Sequence, residues 1–320
     1  MIFKPLLIGV LIAFAAPVSS VDAAKSRKAT HVPPVPLMWK ISDADNDLYL
    51  LGSFHMLKPD DYPLSSDIDA AFDDAEALVF ELPPEEMLSP QLGMAMGQAA
   101  LRRDGTLLNS DLPEATVTRL DAWVADNSDV LQTMGLPAQA LQRFDPWFVG
   151  LTISVIEMNK IGLDPKIGLD MHFIELASRA SKPTTGLETG SEQIAVFQTM
   201  SKDEQLQFLE ESMSEAAGTQ SELKKLHDAW RRGDQALLWD GMASSMRHDY
   251  PKLYQRINVA RNDAWLPRLQ RMLDDQTDDD TLVVVGALHL LGEDGVVEKL
   301  RAKGYKVERI CSACEQKQKP

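Results

Sequence analysis

Apolar and polar positions divide the chain into short blocks whose order is strand, loop, helix, strand. LMWKISD and NDLYLLG, residues 37–43 and 46–52, flank an Asp-Ala-Asp-Asn segment and predict a hairpin. The second block is too apolar for clean alternation and passes through Gly52 to Ser53, Phe54 and His55. Ile68, Ala71, Phe72 and Ala75 then recur at helical spacing, with Ser66 and Asp69 placed as a capping box, so residues 67–75 predict an amphipathic helix. ALVFEL, residues 77–82, predicts the next strand, stopped by Pro83 and Pro84. This order is that of an α/β unit.

From about residue 87 to 180 the pattern is helical, broken at Asp145-Pro146 and between Gly162 and Pro165. Met94 and Met96 read as adaptable core filling rather than a metal site. KPTTGLETG, from Lys182, predicts a short strand with glycine-rich exits, and Ser201 with Glu204 predicts a capping box ahead of the next helix. Helical segments continue through Trp230, Trp239 and Trp265. DDQTDDD, residues 274–280, lacks the glycine and terminal glutamate of a calcium loop and reads as solvated. In TLVVVGALHLLG the run Val283-Val284-Val285 is uniformly apolar, as a buried interior strand requires; a helix is expected from Val296, and KVERI closes the fold as a last strand.

Two blocks now echo each other. LYLLGSFH ends in Gly52-Ser-Phe-His55, and LVVVGALH ends in Gly286-Ala-Leu-His289. A buried strand followed by glycine lets the chain turn at the carboxyl edge of a sheet, where open α/β folds build their sites, and aims each histidine into that crevice. Glu81 follows the strand between them, and a carboxylate beside a sheet core is costly unless it is paired or ligated. His55, Glu81 and His289 can therefore bind a divalent ion and leave a position for water; equally, His55 can act as a general base oriented by Glu81. His172 reads as structural, whereas His227 and His248, set among charged residues, read as solvent-facing; His31 lies in the leader.

Composition narrows the function. The formal net charge of −16 argues against nonspecific binding to nucleic acid or to anionic membrane. Residues 1–23 have the layout of a secretory signal peptide, 24–36 form a basic, proline-rich leader, 37–314 the domain and 315–320 a tail. No later segment is long and apolar enough to span a bilayer, so a periplasmic or secreted protein without stable membrane insertion is expected. Cys311 and Cys314 suit a local or intermolecular disulfide in such a compartment; as two thiolates they fill half of a zinc shell, and too few residues follow for a thioredoxin-like helix.

The paired GxxH motifs, VFEL, GLDMHFIELA (168–177), KPTTGLET through Gln193, ARNDAW (260–265) and VGALHLLGEDGVVEKLRAKGYKVERI together resemble the TraB/GumN family, over nearly the whole chain after the leader. Its wider relatives include the Tiki metalloproteases, the erythromycin esterases and the haem-binding ChaN-like proteins. The resemblance implies an α/β arrangement of two related sheet-containing halves surrounded by helices, with the site in a cleft at strand ends. It matches His55, His289 and Glu81 to residues associated in the Tiki branch with metal-dependent peptide hydrolysis, the ion being manganese, cobalt or zinc. Arg261 and Asn262 match the Arg-Asn pair, expected to support a developing oxyanion, and Asp170 and Glu188 match acidic positions that suit outer hydrogen-bond partners. Ser53 stands where many members carry threonine, and there is no HExxH helix. The expected function is an exported hydrolase of a peptide or small ester. Haem or metal binding without turnover, and peptide recognition by a regulatory envelope protein, are the competing expectations.

Overall fold

A computed structural model describes residues 32–218, 220–274 and 278–316. The expected signal peptide, most of the leader and the end of the tail lie outside the described residues. Strands β1 (Met38–Ser42), β2 (Asp47–Ser53), β3 (Ala77–Phe80), β4 (Thr184–Gly186), β5 (Thr281–Gly286) and β6 (Lys306–Arg309) form one mixed sheet. Its order is β4-β3-β5-β2-β1-β6. The four strands from β4 to β2 run parallel, and β1 and β6 continue the sheet as antiparallel neighbours. With helices packed around the sheet, the α/β class follows as expected.

The expected hairpin is β1-β2, whose turn is closed by Asp43 accepting the backbone N–H groups of Asp45 and Asn46. Strand β5 is buried along its whole length between β3 and β2, as its continuous valine run predicts. The two echoing motifs therefore leave adjacent strands of a single sheet, one residue out of register: Gly52 pairs with Val285 and Ser53 with Gly286. ALVFEL stays in the sheet only as far as Phe80, so Glu81 is already off the strand end.

The capping box foreseen at Ser66 and Asp69 does not form. The helix runs Ser66–Asp74, which puts Ser66 inside its first turn and leaves Ser65 as a cap without a side-chain hydrogen bond. The box at Ser201 and Glu204 forms as expected, and Thr189 with Glu192 makes another. The helix Pro146–Lys160 begins at the Asp145-Pro146 break and buries every residue from Pro146 to Ser154. A helix buried on every side belongs inside a fold. One side, including Trp147, Phe148 and Leu151, joins the sheet core; Val149, Ile153 and Ile156 join a smaller helical core with Leu120, Trp123 and Leu209. Met96 is buried as expected, whereas Met94 is exposed. Cys311 and Cys314 form a local disulfide after β6. No helix among the described residues is long and apolar enough to cross a membrane.

Candidate functional site

Four side chains leave the carboxyl ends of four neighbouring parallel strands. In sheet order they are Glu188 after β4, Glu81 after β3, His289 after β5 and His55 after β2. Two helices complete the group. Arg261 and Asn262 directly follow the π-helical turn Gln255–Val259 in a helix that continues to Asp274, and Asp170 lies in the first turn of Leu169–Ala180. The site thus lies at the sheet edge expected for an open α/β fold.

The glycines act here through close approach. Neither Gly52 nor Gly286 has a positive φ, so the tight turn expected of them is not their role. A Cβ on Gly52 would lie 3.2 Å from the Ala287 Cβ, so its absence lets the two motifs touch. Gly168 is tighter still: a Cβ there would fall 2.0 Å from the His55 carbonyl oxygen. The start of the Leu169–Ala180 helix consequently rests on the His55 backbone, with the Leu169 N–H donating to the Phe54 carbonyl, and Asp170 is delivered to the His55 ring.

Around His289 the site is tied shut. Arg261 donates Nε–H to Glu188 Oε2 at 3.1 Å, Nη2 to Glu188 Oε1 and to Glu81 Oε2 at 2.6 Å, and Nη1 to His289 Nε2 at 3.0 Å and the Ile257 carbonyl at 3.4 Å. All five of its N–H groups are thus directed at protein acceptors. Glu81 takes the Gly286 N–H on its other oxygen at 2.8 Å, and Glu188 is also met by Gln193 and Trp265. The second ring nitrogen of His289 donates to Asn262 Oδ1 at 2.7 Å, and Asn262 in turn donates to the Asp294 carbonyl. Burial, then the Arg261 charge and that of His55, drive the His289 pKa well below its usual value, so the ring is neutral and carries its proton on Nδ1. Burial also raises the Glu81 carboxyl above the usual range, against the pull of Arg261 and His55.

His55 is the opposite case. Its Nδ1 donates to Asp170 Oδ2 at 2.7 Å, and the Ser53 hydroxyl donates to the same oxygen. Its Nε2 faces Glu81 Oε1 across 3.8 Å and, among the described residues, makes no hydrogen bond; nor does Asp170 Oδ1. Burial alone would lower this pKa, but the adjacent Asp170 charge and hydrogen bond, with Glu81 behind them, raise it to about 9. Asp170 rather than Glu81 orients His55, and Ser53 holds Asp170. Buried polar atoms without a protein hydrogen bond are uncommon, and here two of them belong to one hydrogen-bonded pair, His55 and Asp170.

His55, Glu81 and His289 do converge, since both Nε2 atoms lie within 3.9 Å of Glu81 Oε1. They do not fit a three-ligand ion as arranged. Arg261 takes the His289 lone pair and one Glu81 oxygen, so a divalent ion would have to share them with a permanent positive charge. Among the described residues no cluster of three or more His, Cys, Asp or Glu is arranged to hold a metal ion. With both ring nitrogens of His289 engaged, that residue has no lone pair for haem iron either. Nor does Arg261 have an N–H left for an oxyanion; Arg261 and Asn262 instead fix Glu81, Glu188 and His289.

Of the other histidines, His172 packs on Tyr62 with ring centroids 4.6 Å apart, its pKa lowered by burial, and His248 is exposed. His227 is not the solvent-facing residue expected: it is buried, 2.8 Å from Asp61 Oδ2, while Asp61 Oδ1 binds Arg231. Trp265 escaped notice as a site residue. Four positions after Arg261 on one helix face, it lies under the guanidinium at 4.9 Å and against His289 at 4.4 Å.

A cavity of about 940 Å³ opens beside the cluster, reaching it at Glu188, Arg261 and Trp265. A model of the TraB/PrgY/gumN family matches residues 37–309, from the residue before β1 to the end of β6. The chain belongs to this family. Two curated relatives, each named "Uncharacterized protein YbaP" and coming from Escherichia coli and Shigella flexneri, are 24% identical over 260 residues, covering 79% of this chain and 87% of theirs. No solved structure matches. The family match takes in every residue of the cluster, from Ser53 to His289.

Proposed function

We propose that this family member hydrolyses an amide or ester bond with water activated by His55. The observation that supports this reading is the His55 ring itself: one nitrogen fixed on a buried carboxylate, the other making no hydrogen bond among the described residues and facing Glu81. A water held between Nε2 and Glu81 Oε1 is within reach of both. The neutral ring takes a proton from that water as it attacks the carbonyl carbon, Asp170 stabilises the imidazolium so formed, and the imidazolium returns the proton to the leaving group. Arg261 holds Glu81 in place and opposes the burial that raises its carboxyl. The reading needs no divalent ion, because Arg261 already supplies the cation between Glu81 and His289. The signal-peptide pattern of residues 1–23 supports an exported location, and the substrate is a peptide or small ester.

The test is turnover of peptide and ester libraries by the purified chain, with and without chelator, manganese, cobalt or zinc. His55→Gln should lower kcat by about 10²–10⁴-fold, and chelation should leave the wild-type rate unchanged. Because His55 is protonated below about 9, kcat/KM should climb as pH rises toward that value. Turnover indifferent to His55→Gln sinks the reading; a rate that appears only with added metal sinks its metal-free form. Peptide binding without cleavage returns the chain to a recognition role.

A further inference from the structure

The cavity beside the cluster is a groove between two helix faces. One wall carries Ala195 and Val196 from the helix Gly190–Gln198; the other carries Ala264, Trp265 and Arg268 from Ala260–Asp274. Four basic residues line it, in a chain whose formal net charge is −16. Two are matched: Arg261 by Glu188, and Arg256 by Glu204. Arg268 and Lys252 form no ion pair among the described residues. Arg268 is held by neutral acceptors, its Nη1 donating to the Leu187 and Gly186 carbonyls, while Nε and Nη2 make no hydrogen bond among the described residues. Glu192, whose carboxyl feels the Arg268 charge, turns its carboxylate back onto the Thr189 backbone and hydroxyl.

An anchored guanidinium with one edge open is the geometry that grips a carboxylate through two parallel hydrogen bonds. We propose that the groove binds the C-terminal segment of a peptide, its free carboxylate on Arg268 and its small apolar side chains against Ala195, Val196 and Ala264. Arg261 and Arg268 are seven residues apart on one helix face, about 10 Å at 1.5 Å per residue. An extended peptide covers that span in roughly three residues. Resting on the hydrolase reading, this brings the chain about three residues before the free carboxylate to Arg261, where the groove meets the cluster. The groove thereby selects chain ends over internal segments.

Binding can be read without turnover. Fluorescence anisotropy would compare an N-terminally labelled Ala-Val-Ala-Ala peptide, as free acid and as C-terminal amide, against wild-type protein and the Arg268→Met and Arg268→Lys variants, with circular dichroism checking each fold. The acid should bind about tenfold tighter than the amide, as one charge-assisted contact provides. Arg268→Met should erase that preference and Arg268→Lys retain part of it. Equal binding of acid and amide, binding of neither, or a preference that survives in folded Arg268→Met overturns the assignment. The two readings fail separately: acid-selective binding without cleavage removes the hydrolase and keeps the groove, whereas His55-dependent cleavage without acid selectivity does the reverse.

Discussion

Gly52-Ser-Phe-His55 and Gly286-Ala-Leu-His289 share a spacing and leave adjacent parallel strands in the same direction, yet they place two imidazoles in opposite electrical states. His55 meets the carboxylate of Asp170 and is held up at about 9; His289 meets the guanidinium of Arg261 and is driven far below its usual range. Both rings are enclosed, so burial pulls both pKa values down, and the sign of the neighbouring charge decides the outcome. The lesson is that a repeated motif repeats position and not chemistry. One copy carries an open nitrogen suited to proton transfer; the other is a neutral strut between Arg261 and Asn262.

Breaking the His289 side should cost the most stability. Arg261→Met leaves Glu81 and Glu188 buried without their cation and should destabilise the fold by about 3–5 kcal/mol in urea unfolding. It should also let the His289 pKa rise toward its ordinary value. A loss under about 1 kcal/mol would show that the side tied shut by Arg261 is not an electrostatic unit.

Gly168→Ala attacks the other side through packing. The added methyl meets the His55 backbone, so the Leu169–Ala180 helix must move and take Asp170 with it. A cost of about 1–3 kcal/mol is expected, together with a fall in the His55 pKa. A variant as stable as wild type with an unchanged His55 titration would disconnect that helix from the site.

Asp170→Asn changes the charge with less disturbance of shape. NMR titration should find His55 near 9 in the wild type, lower in Asp170→Asn, with His289 still neutral well below the ordinary histidine value. The sign for stability follows from proton binding. Between the unfolded value of about 6.5 and about 9 the folded chain holds a His55 proton that the unfolded chain has lost. The stabilisation from His55 is therefore full below that window and disappears as pH rises through it. Asp170→Asn should flatten this part of the stability curve, and an identical slope in both proteins would remove Asp170 as the cause. The smallest effect is reserved for Asn262→Ala, about 1 kcal/mol, with the His289 proton no longer confined to Nδ1; nitrogen chemical shifts report that tautomer directly.

Much of the scaffold was legible because its signals are local. Residues 37–53 show two apolar blocks around a turn, the valines of β5 announce a strand buried on both faces, and Ser201 with Glu204 caps a helix as read. Local signals also misled. Ser66 and Asp69 have the spacing of a cap, but the helix begins one residue too early for Ser66 to serve. His227 sits among charged neighbours in sequence and looks exposed, while Asp61, 166 positions away, pairs with it in the interior.

By itself, the order of apolar blocks determined an α/β chain with His55, Glu81 and His289 at strand ends, because side-chain period and glycine placement are properties of neighbouring residues. The tertiary structure alone decided that Asp170 orients His55, that Arg261 spends its donors inside the cluster, and that Arg268 keeps one edge open. Those facts depend on groups separated by tens to hundreds of positions, whose distance and burial set the strength of every charge between them.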